Sequence, residues 1–332
     1  MSEDAYAKAG VNQGDADAAV ASLVSALAAS RPTATRQVLP SGHYANVVRL
    51  DDRTGIALST DGVGTKLVVA ERVGRWDTVG IDCVAMNVND VICVGALPIA
   101  MVDYLAVDRA DPQVAGAVGA GLARGAELAG IEIVGGELAQ LGEIVTGLDL
   151  AGACFGVVTL DALVTGAAIE PDDAVIGLPS SGLHSNGFTL ARSALADIAL
   201  DDDRLGRPLA EILLEPTEIY VKPIVELLGS DVDVRGLAHI TSGGLGNLLR
   251  LEADVGYEID DPLPVPAIFT LIQELGDVGD EEMHEVFNMG CGFCVIVAAA
   301  DEASAVERLR AHYPNAKRIG SATEDSGKIV RR

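Results

Sequence analysis

The stretch GIDCVAMNVNDVICVGALP at residues 80–98 constrains the fold more than any other part of the chain. Its apolar residues predict a helix capped by Asp77, with Ile81, Val84, Ala85, Val88 and Ile92 on the core side. Residues seven apart on a helix are nearly eclipsed, so Asp82 and Asn89 share one face, with Asp90 a fraction of a turn away. That face is polar on an otherwise buried helix, and a buried carboxylate needs a cation or hydrogen bonds to remain ionised.

Strands and helices alternate around this segment. Residues 55–60 read as a strand that delivers Asp61 to its end, and 99–103 as another strand. A helix rich in Ala and Gly follows over 113–129, where small side chains permit close packing against a sheet. Residues 131–134 form a strand leading into Gly135, Gly136 and Glu137, and 148–158 a further one. The alternation predicts an α/β layer. Near 159–173 a polar, proline-containing stretch resets the pattern, and a second α/β half opens with a strand at 174–179. The expected organisation is two domains, 1–160 and 161–332.

Composition excludes several functions. With 49 acids against 23 bases the formal net charge is -26, which repels nucleic acid and anionic lipid. Apolar runs stop well short of the roughly 20 residues of a membrane span. No cleavable leader opens the chain, so it reads as soluble and cytoplasmic. The spread acidity points to a cell of high internal salt, where screening weakens self-repulsion and stability rises with KCl. The five cysteines, an odd number, lie mostly in apolar segments and read as buried, reduced thiols, Cys291 and Cys294 included.

Three acids, Asp61, Asp90 and Glu137, stand at strand ends or on the apolar helix. Together they suggest a shared metal, and hard oxygen ligands without His or Cys favour Mg²⁺; alternatively each caps a helix or a turn. Gly62, Gly64, Gly135 and Gly136 would let backbone approach a ligand, with Lys66 as a point charge for phosphate. The segment SSGLHSNG at 180–187 precedes a predicted helix, so its hydroxyls and free N–H groups could bind an anion. His184 within it could donate to phosphate, act as acid or base, or cap the helix. Gly243 and Gly244 offer a second phosphate nest.

The motifs TDGVGTK (60–66), the 80–98 segment, VGGE (134–137), SSGLHSNG (180–187), HITSGGL (239–245) and FNMGCGF (287–293) occur in the order of one family. They resemble phosphoribosylformylglycinamidine cyclo-ligase, also called aminoimidazole ribonucleotide synthetase. The resemblance implies a two-domain α/β cyclo-ligase-like fold, with amino-terminal sheets pairing in a homodimer and an α/β carboxy-terminal domain closing the cleft. It implies ATP and Mg²⁺ as cofactors and formylglycinamidine ribonucleotide as substrate. Catalytic roles would fall to Asp61, Lys66 and His184. ATP and metal would meet Asp61, Gly62, Gly64, Thr65, Lys66, Asn89, Asp90, Gly135, Gly136 and Glu137. Phosphate groups would meet Ser180, Ser181, Gly182, His184, Ser185, Asn186, Gly187, Ser242, Gly243 and Gly244. The chain departs from the family where GGETAEMPGMY is usual, reading GGELAQLGEIV, and where residues 37–46 replace a GGFGG-like lid. Other enzymes of the superfamily, such as thiamine-monophosphate kinase, and an inactive nucleotide-binding paralogue remain as alternative readings.

Overall fold

The structure, a computed structural model, describes residues 5, 9–10, 13–29 and 35–332, so the start of the expected first domain lies partly outside the described residues. Helix α1 (Gln13–Ala29) precedes strands β1 (Asn46–Arg49) and β2 (Thr54–Gly62), then helices α2 (Lys66–Val73) and α3 (Val79–Ile92). Strand β3 (Leu97–Val107), helix α4 (Pro112–Ala129), and strands β4 (Glu132–Gln140) and β5 (Leu148–Thr159) complete the first half. These strands form one five-stranded sheet in the order β1-β2-β5-β3-β4.

Alternation along the strands gives the sheet two different faces. Ala57, Met101, Leu105, Leu150 and Cys154 are buried on the face that packs against α3. On the other face Leu58, Leu97, Val102, Tyr104 and Phe155 are 36–51% exposed. The inner face packs against α3, twelve of whose fourteen residues are buried, Asp82, Asn87 and Asn89 among them. Asp77 does not cap this helix as expected: its carboxylate pairs with Arg75 at 3.0 Å, and Thr78 occupies the cap position without a side-chain bond. Helix α4 does begin on a side-chain cap, Asp111 accepting from the Gln113 amide at 2.8 Å, with proline in the first turn. Its glycines let it lie close on α3, since a Cβ at Gly125 would stand 2.9 Å from Val84 Cβ.

The second half contains β6 (Ala174–Pro179), α5 (Phe188–Ala194), α6 (Leu209–Leu213), α7 (Val221–Leu228), β7 (Val234–His239) and β8 (Gly256–Ile259). Helices α8 (Ala267–Gly276) and α9 (Asp280–Val286), β9 (Cys291–Val297), α10 (Glu302–Arg310), β10 (Lys317–Thr323) and β11 (Ile329–Arg331) follow. The six-stranded sheet has the order β11-β8-β10-β6-β9-β7. Its strand β9 is buried at every position, as a strand covered on both faces must be. Cys291 and Cys294 lie on it as buried free thiols, as do Cys83, Cys93 and Cys154 elsewhere. The sulfurs of Cys291 and Cys294 lie 3.6 Å apart, and Cys93 Sγ donates to the Asn89 carbonyl at 3.2 Å.

Candidate active site

The polar face of α3 is where the two halves meet. Lys66, first residue of α2, is fully buried, and its Nζ lies 2.9 and 2.8 Å from the two carboxylate oxygens of Asp82, itself fully buried. The same ammonium donates to the carbonyls of His184 at 3.1 Å and Glu215 at 2.6 Å. Asp82 Oδ1 also accepts from both the amide and the hydroxyl of Thr217, each at 2.7 Å. Two turns along, Asn89 Oδ1 accepts from the Tyr220 amide at 3.0 Å, and its Nδ2 donates to the Glu218 carbonyl at 2.8 Å. The polar stripe seen in the sequence is thus a ladder that seats residues 215–220 on the amino-terminal half.

This arrangement places three of the expected site residues inside the seam. Lys66 does not face phosphate, because all its donors are spent inside the seam; burial pulls its pKa down against the opposing pull of Asp82. Asn89 spends its side-chain amide on the Tyr220 amide and the Glu218 carbonyl across the seam. His184 is buried and turned inward, with a positive φ of 60°. Its Nε2 accepts from the Ser181 amide at 3.2 Å, which leaves the proton on Nδ1, a buried donor without a partner. Burial, with the charges of His239 and Lys66 adding to it, holds this imidazole well below its ordinary pKa and hence neutral.

Asp61 and Asp90 are near enough for the charge of one to act on the other. Asn87 grips the backbone of Asp61 on both sides, accepting from its amide at 3.0 Å and donating to its carbonyl at 3.1 Å. Desolvation, reinforced by the charge of Asp90, pushes the Asp61 carboxyl up to about 6. Asp90 in turn lies 2.9 Å from Nδ1 of His239, the last residue of β7, and 3.5 Å from the Ser59 hydroxyl. His239 is fully buried and stacks on Phe293. Glu137 does not join them. Residues 61, 152, 103 and 136 form one row across the sheet, so Glu137 stands three strands, about 14 Å, from Asp61. It lines a separate cavity of about 610 Å³ with Asp103 and Gly136, and Gly135 is an exposed residue of the same edge strand. Among the described residues no group of three or more His, Cys, Asp or Glu could hold a metal ion.

The expected phosphate loops come together across the seam. Thr65 Oγ1 and Thr189 Oγ1 are 3.0 Å apart, and the Ser242 hydroxyl donates to Asn186 at 3.2 Å. Gly64, Gly187, Gly243 and Gly244 all have positive φ in these loops. The Gly62 amide is already taken by the Asp61 carboxylate at 2.7 Å. Several hydroxyls are also engaged: Ser180 donates to Asn288 at 3.0 Å, Ser181 to the Pro216 carbonyl at 2.5 Å, and Ser185 pairs with Thr217 at 3.2 Å. Asn288 Nδ2 holds the Gly182 carbonyl at 2.9 Å, whereas Asn186 Nδ2 is a buried donor left open. Sequence reasoning missed His239, Asn87, Thr217 and Asn247. Only His239 carried a signal, as a polar residue ending an apolar strand just before the SGGL turn.

Two family models match the chain: AIR synthase related protein, N-terminal domain, over residues 42–158, and AIR synthase related protein, C-terminal domain, over 170–332. A phosphoribosylformylglycinamidine cyclo-ligase of Methanothermobacter thermautotrophicus is 49% identical, covering 98% of this chain and 96% of that protein. One from Pyrococcus furiosus is 51% identical over 87% of this chain and 85% of its own. Among solved structures, hydrogenase maturation protein HypE in complex with ATP has a TM-score of 0.62 at 18% identity, covering 86% of this chain and 83% of that one. At that identity the likeness establishes the fold.

The raised carboxyl of Asp61 has a thermodynamic consequence. The folded chain keeps its proton up to about pH 6, whereas an unfolded Asp releases it near 3.8. Folding therefore takes up a proton between those values, and the stability contributed by this group falls as pH rises through the window. Asp61→Asn, without metal, should be more stable than the unsubstituted protein at pH 7.5 by about 1–3 kcal/mol, the advantage shrinking toward pH 4. Urea unfolding of both proteins across that range checks this. An Asn variant of equal or lower stability at pH 7.5 contradicts it.

Proposed function

We propose that the chain, which belongs to the AIR synthase-related family and within it to the phosphoribosylformylglycinamidine cyclo-ligases, closes the imidazole ring of 5-aminoimidazole ribonucleotide. The reaction consumes formylglycinamidine ribonucleotide and ATP and releases ADP and phosphate. The observation that carries this reading is the meeting of TDGVGTK, SSGLHSNG and HITSGGL at one seam, through Thr65 with Thr189 and Asn186 with Ser242.

The chemistry starts from a poor electrophile. A formamide carbon resists attack by the ribosyl-bearing amidine nitrogen, and its oxygen is a poor leaving group. Transfer of the γ-phosphoryl of ATP to that oxygen makes the carbon electrophilic, and ring closure then expels the oxygen as phosphate. Catalysis of such a transfer is mainly positioning and charge neutralisation. Asp61 and Asp90 suit a Mg²⁺ ion: both are hard oxygen donors, and burial, reinforced by the charge of Asp90, raises the proton affinity of Asp61, which a bound cation would relieve. When bound there, Mg²⁺ would lend positive charge to phosphate oxygens. His239 orients Asp90, Asn87 fixes the peptide of Asp61, and the open Asn186 amide would donate to a ligand phosphate.

A homodimer follows from the exposed face of the first sheet. Five large apolar side chains there, Leu58, Leu97, Val102, Tyr104 and Phe155, stay exposed among the described residues. A second copy seated on the same face would bury them, an isologous contact. Sedimentation velocity in molar KCl, where screening weakens the repulsion between chains of charge -26, should find a dimer. A monomer at micromolar concentration would contradict the pairing.

The enzyme test is incubation with formylglycinamidine ribonucleotide, ATP and Mg²⁺ in molar KCl, following aminoimidazole and ADP together. Both should appear in equal amounts and only with substrate. Asp90→Asn should lower turnover by about a hundredfold or more at limiting Mg²⁺. ATP binding without imidazole formation, over a range of salt, would sink the assignment.

A further inference from the structure

Lys66 is enclosed and cannot serve a phosphate, and besides Arg192, whose Nε is buried without a partner, the structure offers a second arginine beside the phosphate loops. Arg250 ends the short turn Gly244–Arg250 that begins in the SGGL loop. In a chain with more than twice as many acids as bases, its exposed guanidinium makes no hydrogen bond or ion pair among the described residues. It is held by stacking: the guanidinium carbon lies 5.1 Å from the ring centroid of Tyr44. Tyr44 is buried, and its hydroxyl donates to the Asn247 carbonyl at 2.8 Å. The side chain of Asn247 accepts from the Thr241 amide at 2.8 Å and donates to the Ser242 carbonyl at 3.1 Å. One set of contacts therefore fixes both the guanidinium and the loop carrying Ser242, Gly243 and Gly244.

We infer that Arg250 is the anion-binding residue of the seam, presenting its planar fork to a phosphate group of a reactant, with Tyr44 as the residue that positions it. A guanidinium suits this better than an ammonium, since it can grip two phosphate oxygens at once and stack on an aromatic face without losing its charge. The segment 37–46, which departs from the family's glycine-rich lid, thereby gains a part: it supplies the ring on which the cation rests. The inference deepens the cyclo-ligase reading and rests on it for the identity of the reactants. The phosphate belongs either to the ribonucleotide, a sugar phosphate monoester, or to the nucleotide.

The test compares the unsubstituted protein with Arg250→Met, Arg250→Gln and Arg250→Lys at one fixed KCl concentration. Equilibrium titration uses ribose 5-phosphate and ADP as probes, and the product assay gives KM for each substrate and kcat. The neutral variants should bind one probe at least about tenfold more weakly, with the matching KM raised and kcat changed less, and Lys should recover part of the loss. Loss toward ribose 5-phosphate assigns the substrate's phosphate, and loss toward ADP assigns the nucleotide's. Neutral variants that bind both probes within about twofold of the unsubstituted protein overturn the inference. If the unsubstituted protein makes no imidazole but probe binding still depends on Arg250, the cyclo-ligase reading fails while the anion site stands.

Discussion

The ion pair between Lys66 and Asp82 is the contact on which the remaining geometry depends. Neither side chain reaches solvent, so both charges forgo hydration, and the interior must replace it group for group. It does so with the Thr217 amide and hydroxyl for the acid and the carbonyls of His184 and Glu215 for the ammonium. Those partners come from α2, α3, the SSGLHSNG loop and the segment before Tyr220. One pair of charges thus fixes four pieces of chain from two sheets. The approach of Thr65 to Thr189, and of Asp90 to His239, follows from that registration.

A consequence for chemistry is that the seam divides its polar residues between holding and reacting. Lys66, Asp82, Asn89 and Thr217 are consumed by docking, and His184 is neutral with its acceptor nitrogen occupied. Among the described residues, the groups with capacity left for a ligand include the carboxylates of Asp61 and Asp90, the Asn186 amide, Arg192 Nε and the Arg250 guanidinium. Asp61 with its raised proton affinity, Asp90 beside it and a stacked cation are the groups through which the proposed metal and phosphate would bind. A site whose charges already neutralised one another would gain little from either.

Much of this was legible in the sequence. The period of 80–98 gave a buried helix with a polar face, and the structure turns that face into the interdomain ladder, because buried Asp82 and Asn89 had to find partners. The strands at 148–158 and 174–179 and the small-residue helix at 113–129 appear within a few residues of their expected ends. What failed were roles that depend on long-range placement. Lys66 in a glycine-containing turn looks the same in sequence whether it meets phosphate or a buried acid. Glu137 beside two glycines looks like a strand-end ligand, yet β4 continues through it to Gln140, and two strands intervene between it and β2. Arg250 and Tyr44, two hundred residues apart, carried no local signal at all.

The most direct test of the account is a double-mutant cycle on the buried pair, by urea unfolding in molar KCl with Lys66→Met, Asp82→Asn and the combination. Each single change strands a charge in the interior and should cost about 3–5 kcal/mol, whereas the double variant should cost far less than the sum. Single costs that add to within about 0.5 kcal/mol would mean that the two charges do not depend on each other, and that something else sets the seam.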